Sequence, residues 1–142
     1  SRRDVGMAVH ISRVEWETIR ARAVEGPGRE ICGLLLGQGG RIVEAREAAN
    51  VADEPASRFE IDPAVLLAAH REARSGGAQV LGHYHSHPGG DVSPSACDAD
   101  MACPDGALWL ICAPDGRMAL WRAGHNGLHG RFVAVELTVE DA

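Results

Sequence analysis

The sequence predicts an α/β or α+β fold, a mixed β-sheet flanked by helices. Three observations support this class. Short apolar runs bounded by glycines, such as Glu30 to Leu36, read as buried strands. They interleave with capped, helix-period segments, as expected when helices pack on a sheet. The strand-like runs on either side of Pro114-Asp115-Gly116 form a hairpin, so part of the sheet is antiparallel.

Each element has its own signal. Ser12-Arg13-Val14-Glu15 reads as a capping box, with Ile11 and Trp16 as its hydrophobic staple. Ile19 and Ala23 continue the apolar stripe, and Gly26-Pro27 ends a helix over 12–25. Glu30 to Leu36 is the first strand, Gly37-Gln38-Gly39-Gly40 a turn, and Arg41 to Ala48 the returning strand. That glycine cluster lacks the GK[ST] ending of a phosphate loop and leads into a strand rather than a helix. Residues 49–57 form a polar loop, and Arg58 to Ile61 is a short extended piece. Asp62-Pro63 is a cap followed by a first-turn proline, opening a helix over 63–74 that stops at Gly76-Gly77. Gln79 to His87 reads as a strand, Pro94 to Ala102 as a helix capped by Ser93, and Ala107 to Cys112 as a strand. Arg117 to Arg122 returns from the Pro114 turn, and Arg131 to Leu137 is the last strand. His125 and His129 fall in a Gly-rich polar loop between them.

The length of 142 residues suits one domain, 1–142, and 45% hydrophobic residues supply a core. The formal charge is −6 with no Lys/Arg cluster, which argues against nucleic acid or an anionic membrane as partner. No apolar run approaches the roughly 20 residues of a membrane span, and no signal-peptide pattern is visible. A cytoplasmic location is therefore expected. The four cysteines, Cys32, Cys97, Cys103 and Cys112, form no CxxC pair and read as reduced thiols.

The chemistry concentrates in residues 83–98, HYHSHPGGDVSPSACD. Strand residues two apart share a face, with Cβ atoms roughly 6.5–7 Å apart. His83, His85 and His87 therefore face one way, and alternation alone selects no pair among them. Pro88 marks the strand end, which brings His85 and His87 to its mouth. Asp98 would lie about one turn into the next helix, facing back. Two imidazoles and a carboxylate suit zinc, and three protein ligands leave a position open, as in catalytic sites. Asp100 turns off that face and reads as solvated.

These residues resemble the JAMM (MPN+) zinc metalloprotease family in its compact prokaryotic form. The family pattern is an upstream Glu, then H-[ST]-H-P, six residues, S, two residues, D. His85-Ser86-His87-Pro88, Ser95 and Asp98 fill it. Glu30-Ile31-Cys32-Gly33 and Arg58-Phe59-Glu60-Ile61-Asp62-Pro63 are similar to two further family segments, so the resemblance spans about 8–138. It implies the JAMM/MPN fold, akin in architecture to cytidine deaminases, and one Zn²⁺ on His85, His87 and Asp98. It leaves His83 out, where relatives often carry Trp. It implies Glu30 as general base and then acid. It implies Ser95 as a hydroxyl that helps hold an oxyanion. Capping by Ser93 would free Ser95 for that work. The implied substrate is the bond after the C-terminal Gly-Gly of a ubiquitin-like or sulfur-carrier β-grasp protein, taken as an extended tail. The oligomeric state is not implied. A non-catalytic scaffold of the same fold would lack a ligand or the glutamate, and none is missing. A zinc deaminase would need P-C-x-x-C beside H-x-E, and the chain has no P-C-x-x-C.

Overall fold

A computed structural model describes residues 8–141. The start of the N-terminal stretch inspected for a signal peptide, residues 1–7, lies outside them. The described elements, in chain order, are β1 (Val9–Ser12), α1 (Arg13–Glu25), β2 (Cys32–Gln38), β3 (Arg41–Ala48), α2 (Pro63–Arg74) and β4 (Gln79–Ser86). There follow α3 (Ala96–Met101), β5 (Leu108–Cys112), β6 (Met118–Leu128), β7 (Phe132–Val135) and β8 (Leu137–Glu140). The strands form one mixed sheet in the order β7-β6-β5-β4-β2-β3-β1-β8. β4 pairs with β5 in parallel, and β1 pairs in parallel with both β3 and β8. The mixed sheet with flanking helices is the expected class.

Strand alternation divides the sheet into two faces. Leu35, Tyr84, Leu110 and Cys112 pack with Ile19 and Ala23 of α1. Val135, Leu137 and Val139 from both ends of the sheet close on the same cluster, so the sheet curls around α1. On the opposite face, Leu34, Leu36 and Val80 pack against Val65, Leu66 and Ala69 of α2. Cys32, Trp109 and Phe132 pack with Phe59 and with Ala99 and Ala102 at α3. Tyr84 therefore faces α1, while its neighbours His83 and His85 face the outer layer.

Several local expectations need correction. The first strand begins at Cys32, because Glu30 gives its N–H to Pro55 O and its carbonyl to Asn50, not to a ladder. The turn narrows to Gly39-Gly40, since Gly37 and Gln38 stay paired with Ile42 and Arg41. Gly39 takes φ +58°, which a glycine adopts without strain. The box at α1 is half made. Ser12 Oγ accepts from Glu15 N at 3.3 Å, but the Glu15 carboxylate accepts from Ala45 N at 2.8 Å instead of turning back. β1 precedes α1 as a short strand the pattern did not signal. β6 runs on to Leu128, so His125 lies in a strand rather than a loop. The final strand is two, β7 and β8, split at Glu136 and lying at opposite edges of the sheet.

Close approach of β4 to β5 makes Gly82 obligatory. A Cβ there would sit 2.0 Å from Leu108 O and 2.6 Å from Leu108 N, both backbone atoms that cannot yield. Gly82→Ala is expected to cost about 3 kcal/mol of stability. Urea unfolding measures this, and a loss under about 1 kcal/mol would show that the strands part easily.

Candidate metal centre

β4 and the turn after it deliver the two imidazoles. His85 is the penultimate residue of β4, paired with Cys32 on one side and Ile111 on the other, and fully buried. The ring of Phe59 stacks on it at 4.2 Å and 19°. His87 lies just past the strand, where its N–H still donates to Cys112 O at 2.9 Å. Pro88 cannot continue the ladder. A turn closes with Gly90 N donating to His87 O at 2.9 Å. The chain then doubles back so that Asp91 O accepts from His87 Nδ1 at 2.7 Å. That bond fixes the ring and leaves Nε2 free to act as a ligand. His85 Nδ1 has no such partner, so packing against Phe59 orients this ring instead.

α3 supplies the carboxylate. Its cap is Ser95, not Ser93 as expected. Ser95 Oγ accepts from Asp98 N at 3.0 Å, and Ser95 N donates to Asp98 Oδ2 at 2.9 Å. The physical reason is reciprocity. The residue three after Ser95 is Asp98, which can return a bond to the cap, whereas the residue three after Ser93 is Ala96, which cannot. Ser93 N instead donates to Asp91 Oδ1 at 2.9 Å. Capping uses a lone pair of the Ser95 hydroxyl and leaves its proton available to donate.

The parts converge. His85 Nε2 lies 3.1 Å from His87 Nε2 and 3.3 Å from Asp98 Oδ1, and His87 Nε2 lies 3.1 Å from Asp98 Oδ2. Glu30, 5% exposed, brings a carboxylate oxygen within 4.8 Å of the ring nitrogens of both histidines. Its Oε1 is buried and has no hydrogen-bond partner. Glu30, His87 and Ser95 together line an open cleft of about 250 Å³. Two buried imidazoles, a buried carboxylate and a second carboxylate with an unpaired oxygen form a donor set that fits zinc.

Electrostatics separates the two acids. Burial works against the Asp98 anion, but bonds from His85, His87 and Ser95 N outweigh it and hold the group well below the usual carboxylate range. Burial pushes Glu30 up to about 7, with His87 opposing and Asp98 adding to the rise. Burial holds His85 low and neutral despite Asp98. Burial lowers His87 too, but Asp98 and the Asp91 carbonyl carry it above its ordinary value.

His83 is placed one step deeper. Its ring meets Trp109 edge-on at 4.3 Å and Phe59 at 5.0 Å, burial pushes it down to about 3, and it stands apart from the His85–His87–Asp98 group. Asp100 is exposed, as expected. Cys97 and Cys103 are exposed free thiols, while burial pushes Cys32 and Cys112 up to about 11. Among the described residues no helix is long and apolar enough to cross a membrane. Sequence reasoning passed over Asn50. Its amide donates to the Glu30 and Arg58 carbonyls and accepts from Ala52 N and Glu60 N. Those partners lie up to 20 residues away, and only an Asn in a polar loop marked it.

Known proteins resemble the chain in sequence and in fold. Residues 13–124 match a family model described as prokaryotic homologs of the JAB domain. The chain is 39% identical over 130 residues to a desampylase of Haloferax volcanii, covering 87% of this chain and 91% of that one. It is 33% identical over 98 residues to a probable TtuB-protein conjugate cleaving protease of Thermus thermophilus, covering 68% and 65% of the two chains. In fold it is similar to the crystal structure of a JAB1/MPN domain protein from Archaeoglobus fulgidus. That match has a TM-score of 0.62 at 22% identity and covers 94% and 99% of the chains.

Proposed function

The chain belongs to the family of prokaryotic homologs of the JAB domain, with JAMM metalloproteases as relatives, and from that premise we propose its substrate and the role of each site residue. It hydrolyses the peptide or isopeptide bond after the C-terminal Gly-Gly of a ubiquitin-like or sulfur-carrier β-grasp protein. The observation that carries this is the meeting of His85, His87 and Asp98 beside the unpaired carboxylate of Glu30, with His87 and Glu30 opening on one cleft. The conjugate-cleaving protease among its relatives supports the substrate class.

His85, His87 and Asp98 would hold one zinc ion. Asp98 is preferred over Glu30 as third ligand because its two oxygens face the two ring nitrogens and it stays anionic. A zinc ion there supplies Lewis acidity, lowering the pKa of a water toward about 7 and polarising the substrate carbonyl. Glu30 takes the proton of the attacking water on its free oxygen and passes it to the leaving amine. A carboxyl held near neutrality is suited to both transfers. The Ser95 hydroxyl, on the cleft wall, donates its remaining proton to the carbonyl oxygen as charge develops there.

The experiment is incubation with β-grasp proteins fused through Gly-Gly to a reporter, read by mass spectrometry of the new terminus. Cleavage after the second glycine is expected. Replacing either glycine by Phe should slow it strongly, because a side chain would clash beside the buried ligands. Cleavage at unrelated sequences, with Gly-Gly fusions intact, would refute the substrate assignment.

A further inference from the structure

Glu30 precedes β2, so no ladder fixes its backbone. Other bonds do. Its N–H donates to Pro55 O at 2.7 Å, and its carbonyl accepts from Asn50 Nδ2 at 2.8 Å. The same Nδ2 donates to Arg58 O at 3.0 Å. Asn50 Oδ1 accepts from Ala52 N and Glu60 N, each at 3.0 Å. An amide side chain offers two N–H bonds and two lone pairs, and here all four are used. On the other flank, Ser86 Oγ accepts from Ile31 N at 2.9 Å, and Ser86 N donates to Ile31 O at 3.0 Å.

The loop does not depend on the Asn50 side chain for its backbone pairing. Val51 N donates to Glu60 O at 2.9 Å and Asp62 N to Ala49 O at 3.1 Å, and neither bond uses the Asn50 side chain. What the side chain adds is a link between two functional groups. Its Nδ2 joins Glu30 to Arg58 and its Oδ1 holds Glu60; Arg58 and Glu60 lie either side of Phe59, whose ring lies on His85.

We propose that Asn50 is a positioning residue. It ties the Glu30 backbone to segment 58–60, so that the Glu30 carboxylate and the His85 ring keep a fixed relation during proton transfer. The inference rests on Glu30 being the general base. Asp has the shape but cannot donate, Ser is too short to span both carbonyls, and Gln is one methylene too long.

The test uses the zinc-loaded protein and a Gly-Gly fusion substrate. Asn50→Asp keeps both accepting bonds and loses both donations. It is expected to lower kcat about ten- to a hundred-fold, the scale of a displacement of about 1 Å. KM and bound zinc should stay near wild type, and uncharged Asn50→Ala should show the same split. The second arm places Asn50→Asp in a Glu30→Gln background. If Asn50 acts through Glu30, the residual rate falls no further, beyond about two-fold. The same fold loss in both backgrounds would mean a merely structural role and overturn the proposal, as would a wild-type kcat in the single variants. Neither variant folding would also overturn it. Should Glu30→Gln alone run at the wild-type rate, the base assignment itself falls and takes this inference with it.

Discussion

Stripping the metal with a chelator is expected to abolish hydrolysis, a loss of about 10⁴-fold or more, and added zinc to restore it. The remaining machinery is a carboxyl and a hydroxyl facing an ordinary water, which is too weak an acid to be deprotonated near neutrality. Elemental analysis of variants then tests the ligand set. His85→Ala and Asp98→Asn should lose the metal, since these side chains meet at 3.1–3.3 Å. Glu30→Gln should keep it. The reverse pattern, zinc retained in Asp98→Asn and lost in Glu30→Gln, would make Glu30 the third ligand and leave the reaction without its base.

Glu30→Gln should cut kcat by about 10²–10⁴-fold, the usual worth of general acid–base catalysis. The amide has nearly the same shape but cannot accept the proton of water. The protein should remain folded, and its stability gives an independent check. The folded carboxyl sits near 7, raised by burial above an ordinary value of 4.5. Folding therefore binds a proton between those values, and stability from this group is lost as pH rises through them. In the metal-free protein, wild type should thus lose stability relative to Glu30→Gln as pH rises from about 4.5 to about 7, with the difference constant above that. Denaturant curves at pH 5 and pH 8 show it. A wild-type rate in a well-folded Glu30→Gln protein would remove Glu30 from the chemistry.

How much of this was legible depended on how local each signal was. His85, His87 and Asp98 span fourteen residues of chain, and strand and helix periodicity bring them together without knowledge of the fold. Glu30 was different. Its placement comes from Pro55, Asn50 and Ser86, and no local rule joins those positions. Only the resemblance to a known family pointed to it. Ser93 and Ser95 both look like caps, and the choice turned on whether the third residue onward could reciprocate. The helix over 63–74 and the strand over 41–48 were read to the residue, because a proline, a cap and glycines bound them. The C-terminal strands were not, since Gly124, Asn126 and Gly127 read as loop, and the ladder to β7 is indeed interrupted there by a register shift between Ala123 and Leu128 before β6 ends. Nothing in the composition around Glu136 announces that Val135 and Leu137 belong to opposite edges of the sheet.

That last feature sets when the protein can fold. β1 pairs with β8 in the register Val9↔Leu137, so the first strand meets almost the last residues of the described chain. Contacts of such sequence separation are slow to form, because the closure entropy of nearly the whole chain is spent before they contribute. On a ribosome, β1 waits with one edge open until β8 emerges, its N–H and C=O groups a template for other chains. The metal-ligand cluster of β4 and α3 lies away from that edge and can form before β8 covers β1, so until then the unpaired edge of β1, rather than the site, is what is open to mispairing.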